Sequence, residues 1–130
     1  MHVYFIPLRM LNLIFLERRK PMPSYLVQVA YTSEAMAAMI KKPQDRASVV
    51  GKAVAKLGGS LKSAWLTFGD YDTVVLVEMP DNVSAAAFAM AISAGGSCSA
   101  VKTTPLLSVE EGITAMKKAS GSGYKPVSTK

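Results

Sequence analysis

Histidine and cysteine are almost missing from this chain of 130 residues, which has one of each, His2 and Cys98. A lone cysteine excludes an internal disulfide, so nothing demands an oxidising compartment and a cytoplasmic setting is the expectation. With the only imidazole next to the N-terminus, the body has no histidine for general acid–base work or for the usual zinc ligand sets, and neither metal nor cofactor is expected. The longest apolar run near the start, Val3 to Leu16, is broken by Pro7, Arg9 and Asn12. It also falls short of the roughly 20 residues that a spanning helix requires. A phosphate loop is excluded as well, because Gly95-Gly96-Ser97 lacks the lysine and the spacing that cradle a nucleotide.

What is present suits one soluble domain: half of the residues are apolar, and the length allows a single sizeable core. The formal charge is +6, but it is concentrated at the ends. Residues 1 to 21 carry four cations against Glu17, the tail adds Lys125 and Lys130, and the stretch between holds nine Lys or Arg against eight Asp or Glu. A surface that tracks phosphates needs cations clustered on the folded face, so nucleic acid is not an expected partner.

The leader, residues 1 to 21, reads in three ways. Its basic cluster Glu17-Arg18-Arg19-Lys20 follows the apolar run and no small-residue cleavage site comes after it, which is the wrong order for export. Met22 can be the natural start, with the leader a mis-called extension. Alternatively the leader is an amphipathic segment resting on a membrane surface, or an extension that packs or stays disordered.

Residues 22 to 118 form the expected domain. Alternation over Ser24 to Tyr31 predicts a first strand. Thr32 or Ser33 can cap a short helix through Met36 and Met39 that Pro43 interrupts, and a second helical run places Ala47, Val50, Val54 and Leu57 on one face before Gly58-Gly59 ends it. Two strand-like runs follow within Leu61 to Asp81, joined by Gly69-Asp70-Tyr71-Asp72, and read as a β-hairpin. An alanine-rich helix over Val83 to Ala94 comes next, then a strand from Cys98 to Leu106, and Ser108 with Glu111 has the spacing of a capping box for a last helix over Val109 to Lys118. Residues 119 to 130 are expected to form a disordered tail. The order is βαββαβ plus a helix, a ferredoxin-like α+β fold with a four-stranded antiparallel sheet.

In that topology helices cover one face of the sheet only. A loop of Gly69 to Asp72 pairs Phe68 with Thr73, Leu66 with Val75 and Ala64 with Val77 on the helix side, and puts Trp65 opposite Leu76 and Ser63 opposite Glu78 on the other. The second set is too apolar for a bare surface and too polar for a sealed core. Sheet-to-sheet homodimerisation is expected; the alternative is that the last helix folds over this face and leaves a monomer.

Several of these residues together resemble the GYD domain family, small bacterial proteins without an established activity. The likeness runs from Met22 to about Met116 and rests on Leu57-Gly58-Gly59, Lys62-Ser63, the Gly69-x-Tyr71-Asp72 motif, the valine-rich strand ending Glu78-Met79-Pro80-Asp81, and Val109-Glu110-Glu111. It implies a ferredoxin-like domain of the dimeric α+β barrel kind and favours Met22 as the start.

Candidate site residues follow from the hairpin. Gly69, Tyr71 and Asp72 are explained by loop geometry, or else the Tyr71 phenol and the carboxylates of Asp70 and Asp72 line a pocket mouth. Glu78 near Ser63 and Trp65, on a largely apolar face, is either a base of raised pKa or the partner of Lys62 or Lys102. Cys98 reads as a small packed residue. Two functions remain open: a homodimeric domain that binds a small organic ligand between sheet and helices, and a cofactor-independent isomerase or oxygenase using Tyr71, Asp72 and Glu78. The enzyme requires at least two of those side chains to enter one enclosed cavity.

Overall fold

The computed structural model describes residues 7–9 and 22–128. The three readings of the leader therefore lie outside the described residues, apart from the exposed positions Pro7, Leu8 and Arg9. The body runs β1 (Ser24–Tyr31), α1 (Ser33–Lys41), α2 (Arg46–Lys56), β2 (Ser60–Leu66), β3 (Thr73–Glu78), α3 (Asn82–Ala94), β4 (Cys98–Leu106) and α4 (Val109–Ser120). Its strands form one antiparallel sheet in the order β2-β3-β1-β4, the ferredoxin-like arrangement expected from the element order.

Local chemistry accounts for each boundary. Thr32 caps α1, its hydroxyl oxygen accepting from Ala35 N at 3.1 Å, and Pro43 separates this helix from α2, which Asp45 caps. Helix α2 ends in a Schellman turn: Gly58 N donates to Ala55 O, Gly59 N to Val54 O, and Gly58 takes the left-handed conformation with φ +85°. Asp81 caps α3, and the hydrogen bonds from Ser84 hold its carboxyl below the ordinary value. The capping box of α4 forms as expected, and that helix runs two residues past Lys118, to Ser120. Pro105 is accommodated because β4 lies at the edge of the sheet, where a missing N–H interrupts no second ladder.

Tyr25, Val27 and Val29 of β1 and Val75 and Val77 of β3 face the helices, where they meet Val54, Met79, Ala85 and Phe88 in the core. Paired ladders carry Thr103 and Val101 of β4 to the same side. Val54, Phe88 and Met79 sit where α2, α3 and the strand ends converge, and all three are almost fully buried. Such residues dominate the hydrophobic contribution, each burying enough apolar area for about 1.5–3 kcal/mol.

The hairpin differs from the expected register. Leu66, not Phe68, pairs with Thr73, so the loop spans residues 67–72 and Trp65 lies opposite Val74. The loop is drawn away from the ladder by bonds to its own backbone and to β1: Thr67 N donates to Asp72 O, Thr67 Oγ1 to Tyr71 O, and Asp72 N to Val29 O. Because the shift is two residues, Ala64 and Trp65 keep their expected faces. Leu66 and Phe68, expected under the helices, are instead exposed, since α2 covers β2 only around Leu61 and Ala64.

A bulge at Lys62 then changes the phase of β2, bringing Leu61 onto the core side opposite Val77. It also corrects the expected pairing of Ser63 with Glu78: Ser63 lies opposite Leu76, and Ser60 is the partner of Glu78.

The face turned away from α1, α2 and α3 carries Leu26 and Ala30 of β1, Val74 and Leu76 of β3, Trp65 of β2 and Leu106 of β4, with Gln28, Lys102 and Glu78 among them. Trp65 is 66% exposed. Helix α4 buries none of its residues and leaves Val109, Ile113 and Met116 exposed, so this chain's last helix does not seal that face.

Candidate functional site

Helices α1 and α2 do not close fully on the sheet. Alanines at 35 and 38 of α1 present little side chain, and the break at Pro43 splays the two helices, leaving a cavity of about 390 Å³ that reaches Val27 and Val75 below and Phe88 and Ile92 of α3 at the side. A second hollow of about 570 Å³ adjoins it toward Ala64 and Leu66 of β2. The two share Tyr31, Met39, Gln44, Arg46, Val50, Thr73 and Val75 and so form one cleft, within the size range of small-molecule sites.

Its walls are mostly apolar, and the polar side chains of Tyr31, Gln44, Arg46 and Thr73 lie where the two hollows adjoin. Tyr31, at the end of β1, is placed there by a ladder irregularity between Ala30 and Tyr31. Its hydroxyl oxygen accepts from Thr73 Oγ1 at 3.3 Å, which leaves the phenolic proton free to donate. Arg46 opens α2 and donates from Nη1 to Gln44 Oε1 at 3.3 Å. Cys98 begins β4 and lines the smaller hollow; burial pushes its thiol pKa up, and the Arg46 guanidinium pulls against that shift. A thiol held in its protonated form is a poor nucleophile.

The residues singled out in the sequence do not converge here. Gly69 and Asp70 are exposed at the tip of the β2–β3 loop. Gly69 has φ +147°, a conformation reserved for glycine, with open space around it. Tyr71 is half-buried and lines neither hollow. Ser63 and Trp65 belong to β2, with their side chains on the open sheet face, although Trp65 also touches the rim of the larger hollow. Glu78 pairs with Lys62, Nζ to Oε2 at 3.5 Å, the ion-pair alternative of the two weighed for it. Asp72 alone of the trio Tyr71, Asp72 and Glu78 reaches the cleft, and its Oδ2 is occupied by the Tyr31 backbone N–H at 2.8 Å. The geometry an enzyme built on that trio needs is therefore not met. Among the described residues, no three His, Cys, Asp or Glu side chains gather as a metal site, and no helix is long and apolar enough to cross a membrane.

The motif instead joins two strands. The main-chain N–H of Asp72 bonds to Val29 and its carboxylate to Tyr31, which clamps the hairpin loop onto β1 beside the cleft. Asp72→Ala should then destabilise the domain by about 2 kcal/mol, because it strands a partly buried N–H. Asp72→Asn, which keeps an accepting oxygen, should lose less than half of that in urea unfolding. Equal losses for the two variants would contradict the clamp.

Tyr31, Gln44, Arg46 and Thr73 carried no motif in the sequence. A signal existed in the pairing of Pro43 with a helix face made of alanine, which together leave a gap over the sheet.

A βαββαβ chain whose helices lie on one face of an antiparallel sheet, with a cleft between the layers, is a ferredoxin-like α+β domain. The family model of the GYD domain matches residues 25–116, and the chain belongs to that family. No curated protein matches the sequence. Among solved structures, an AsnC family transcriptional regulator from Agrobacterium tumefaciens is similar at a TM-score of 0.45 and 14% identity, over 83% of this chain. The present chain spans 60% of that one's length.

Proposed function

We propose that this GYD protein is a homodimeric, cytoplasmic binding domain for a small organic ligand, held in the cleft between the sheet and helices α1, α2 and α3. The observation that carries the ligand reading is the cleft: largely apolar walls, with the polar groups of Tyr31, Gln44, Arg46 and Thr73 collected where its two hollows adjoin. The dimer reading rests on the open sheet face, where Trp65 is exposed and Leu26 and Leu76 are only half-buried by their own chain. The two fit together, because pairing through that face leaves the cleft on the outer side of each subunit.

Screening small organic molecules by methyl NMR tests the ligand reading. Binders should perturb Met39, Val50 and Ile92 together, and Ala35→Phe should abolish those shifts by filling the cleft, with little change in melting temperature. Binders that perturb other surfaces and leave these three unmoved would refute it.

A further inference from the structure

Which ligand the cleft takes follows from its inventory of charge and hydrogen-bonding groups. Around the smaller hollow Arg46 is the only charged side chain among the described residues. The one ion pair among the described residues is Lys62 with Glu78, so this guanidinium has no carboxylate partner and spends one N–H on Gln44 Oε1. Four guanidinium N–H groups remain. Its charge is felt at the Cys98 thiol, which lines the same hollow.

The neighbouring groups are biased the same way. With its oxygen accepting from Thr73, the Tyr31 hydroxyl has a proton to give. Gln44 has its oxygen occupied and its amide N–H groups free. The two carboxylates in the adjoining hollow each hold a backbone N–H already, Asp45 that of Ala47 and Asp72 that of Tyr31. The smaller hollow thus presents donors and one positive charge, while Asp45 and Asp72 line only the adjoining one.

We propose that the ligand is a monocarboxylate with an apolar body: the carboxylate lies against Arg46 within reach of the Tyr31 hydroxyl, and the hydrocarbon enters the hollow lined by Val27, Val50, Val75, Phe88 and Ile92. A planar carboxylate matches the guanidinium fork with two parallel N–H···O bonds. One arginine does not balance a dianionic phosphate, and an ammonium head in the smaller hollow would meet Arg46, the carboxylates of Asp45 and Asp72 lining only the adjoining one. The inference rests on the cleft being the ligand site.

Three molecules with the same tail separate the possibilities: octanoate, octanol and octylamine, titrated into the full chain and followed by methyl NMR at Val50 and Ile92. Octanoate should bind about tenfold or more tighter than octanol, the usual worth of a hydrogen bond to a charged group, and octylamine should not bind. Arg46→Gln should lower octanoate to about the level of octanol, and Arg46→Lys should fall between. Equal affinity for octanoate and octanol, or a preference that survives Arg46→Gln, overturns the carboxylate assignment while leaving the cleft as a ligand site. If none of the three shifts the cleft resonances, the cleft reading falls and this inference with it.

Discussion

Gly59→Ala should destabilise the domain by about 3 kcal/mol or more, an effect at the upper end of overpacking in a closed interior. A Cβ at this position would overlap the carbonyl oxygen of Glu78 and the sulfur of Met79, and would stand 3.1 Å from Val54 Cγ1. None of the three can retreat cheaply: the carbonyl belongs to the end of β3, and Met79 and Val54 are fully buried. The adjacent Gly58 needs glycine for a different reason, its φ of +85°, so Gly58→Ala should cost only about 1–2 kcal/mol. Gly58→Asn should recover part of that, because asparagine tolerates the left-handed region. Equilibrium urea unfolding measures both. A loss below about 1 kcal/mol for Gly59→Ala would mean that α2 and the end of β3 are not packed as described.

Leu76→Lys should convert a dimer into a folded monomer. Leu76 is on a central strand of the open face, flanked by Leu26 of β1 and Ser63 of β2. In a two-fold sheet-to-sheet pair the substitution enters the interface twice and sets like charges against each other within a desolvated layer. Each buried leucine removed forfeits about 1.5–3 kcal/mol, and two unpaired ammonium groups add several more, enough to shift association by several orders of magnitude. The fold should survive, because the core around Phe88, Met79, Val54 and Val27 lies on the other side of the sheet. Sedimentation velocity of wild type and variant, with far-UV circular dichroism as the check on folding, decides the matter. A monomeric wild type at high micromolar concentration would remove the dimer from the proposal, though not the ligand cleft.

These two positions show how differently features can be read from residues. The Gly58-Gly59 stop was legible because a helix end is a local event: the left-handed residue and the bonds back to Val54 and Ala55 lie within a few positions. Thr32, Ser108 and Glu111 were legible for the same reason, as caps that act over three residues. The hairpin is legible as a hairpin, but its local pattern gives a register two residues off and hides the bulge. Both errors have long-range causes: the loop is held by Val29 and Tyr31 of β1, forty-one positions from Asp72 in the case of Tyr31. Lys62 is extruded so that Leu61 can reach the core against Val77.

The site was less legible than the fold. A tight Gly-Asp-Tyr-Asp sequence draws the eye because unusual residues sit side by side, yet the structure uses Asp72 as a clamp, Gly69 for its backbone angle and Glu78 as the partner of Lys62. Tyr31, Gln44, Arg46 and Thr73 are scattered over three elements and the α1–α2 connection and become neighbours only when the cleft exists.

From its residues alone the chain determined which helices and strands form and how the helices are capped, the antiparallel βαββαβ order and the apolar character of both sheet faces, because periodicity, capping and turn chemistry operate over a few positions. Tertiary packing decided the register of β2, the bulge at Lys62, the exposed course of α4 and the polar groups gathered where the two hollows of the cleft adjoin. Each of those depends on which distant groups compete for the same backbone bonds and the same space, and that competition is settled only when the layers meet.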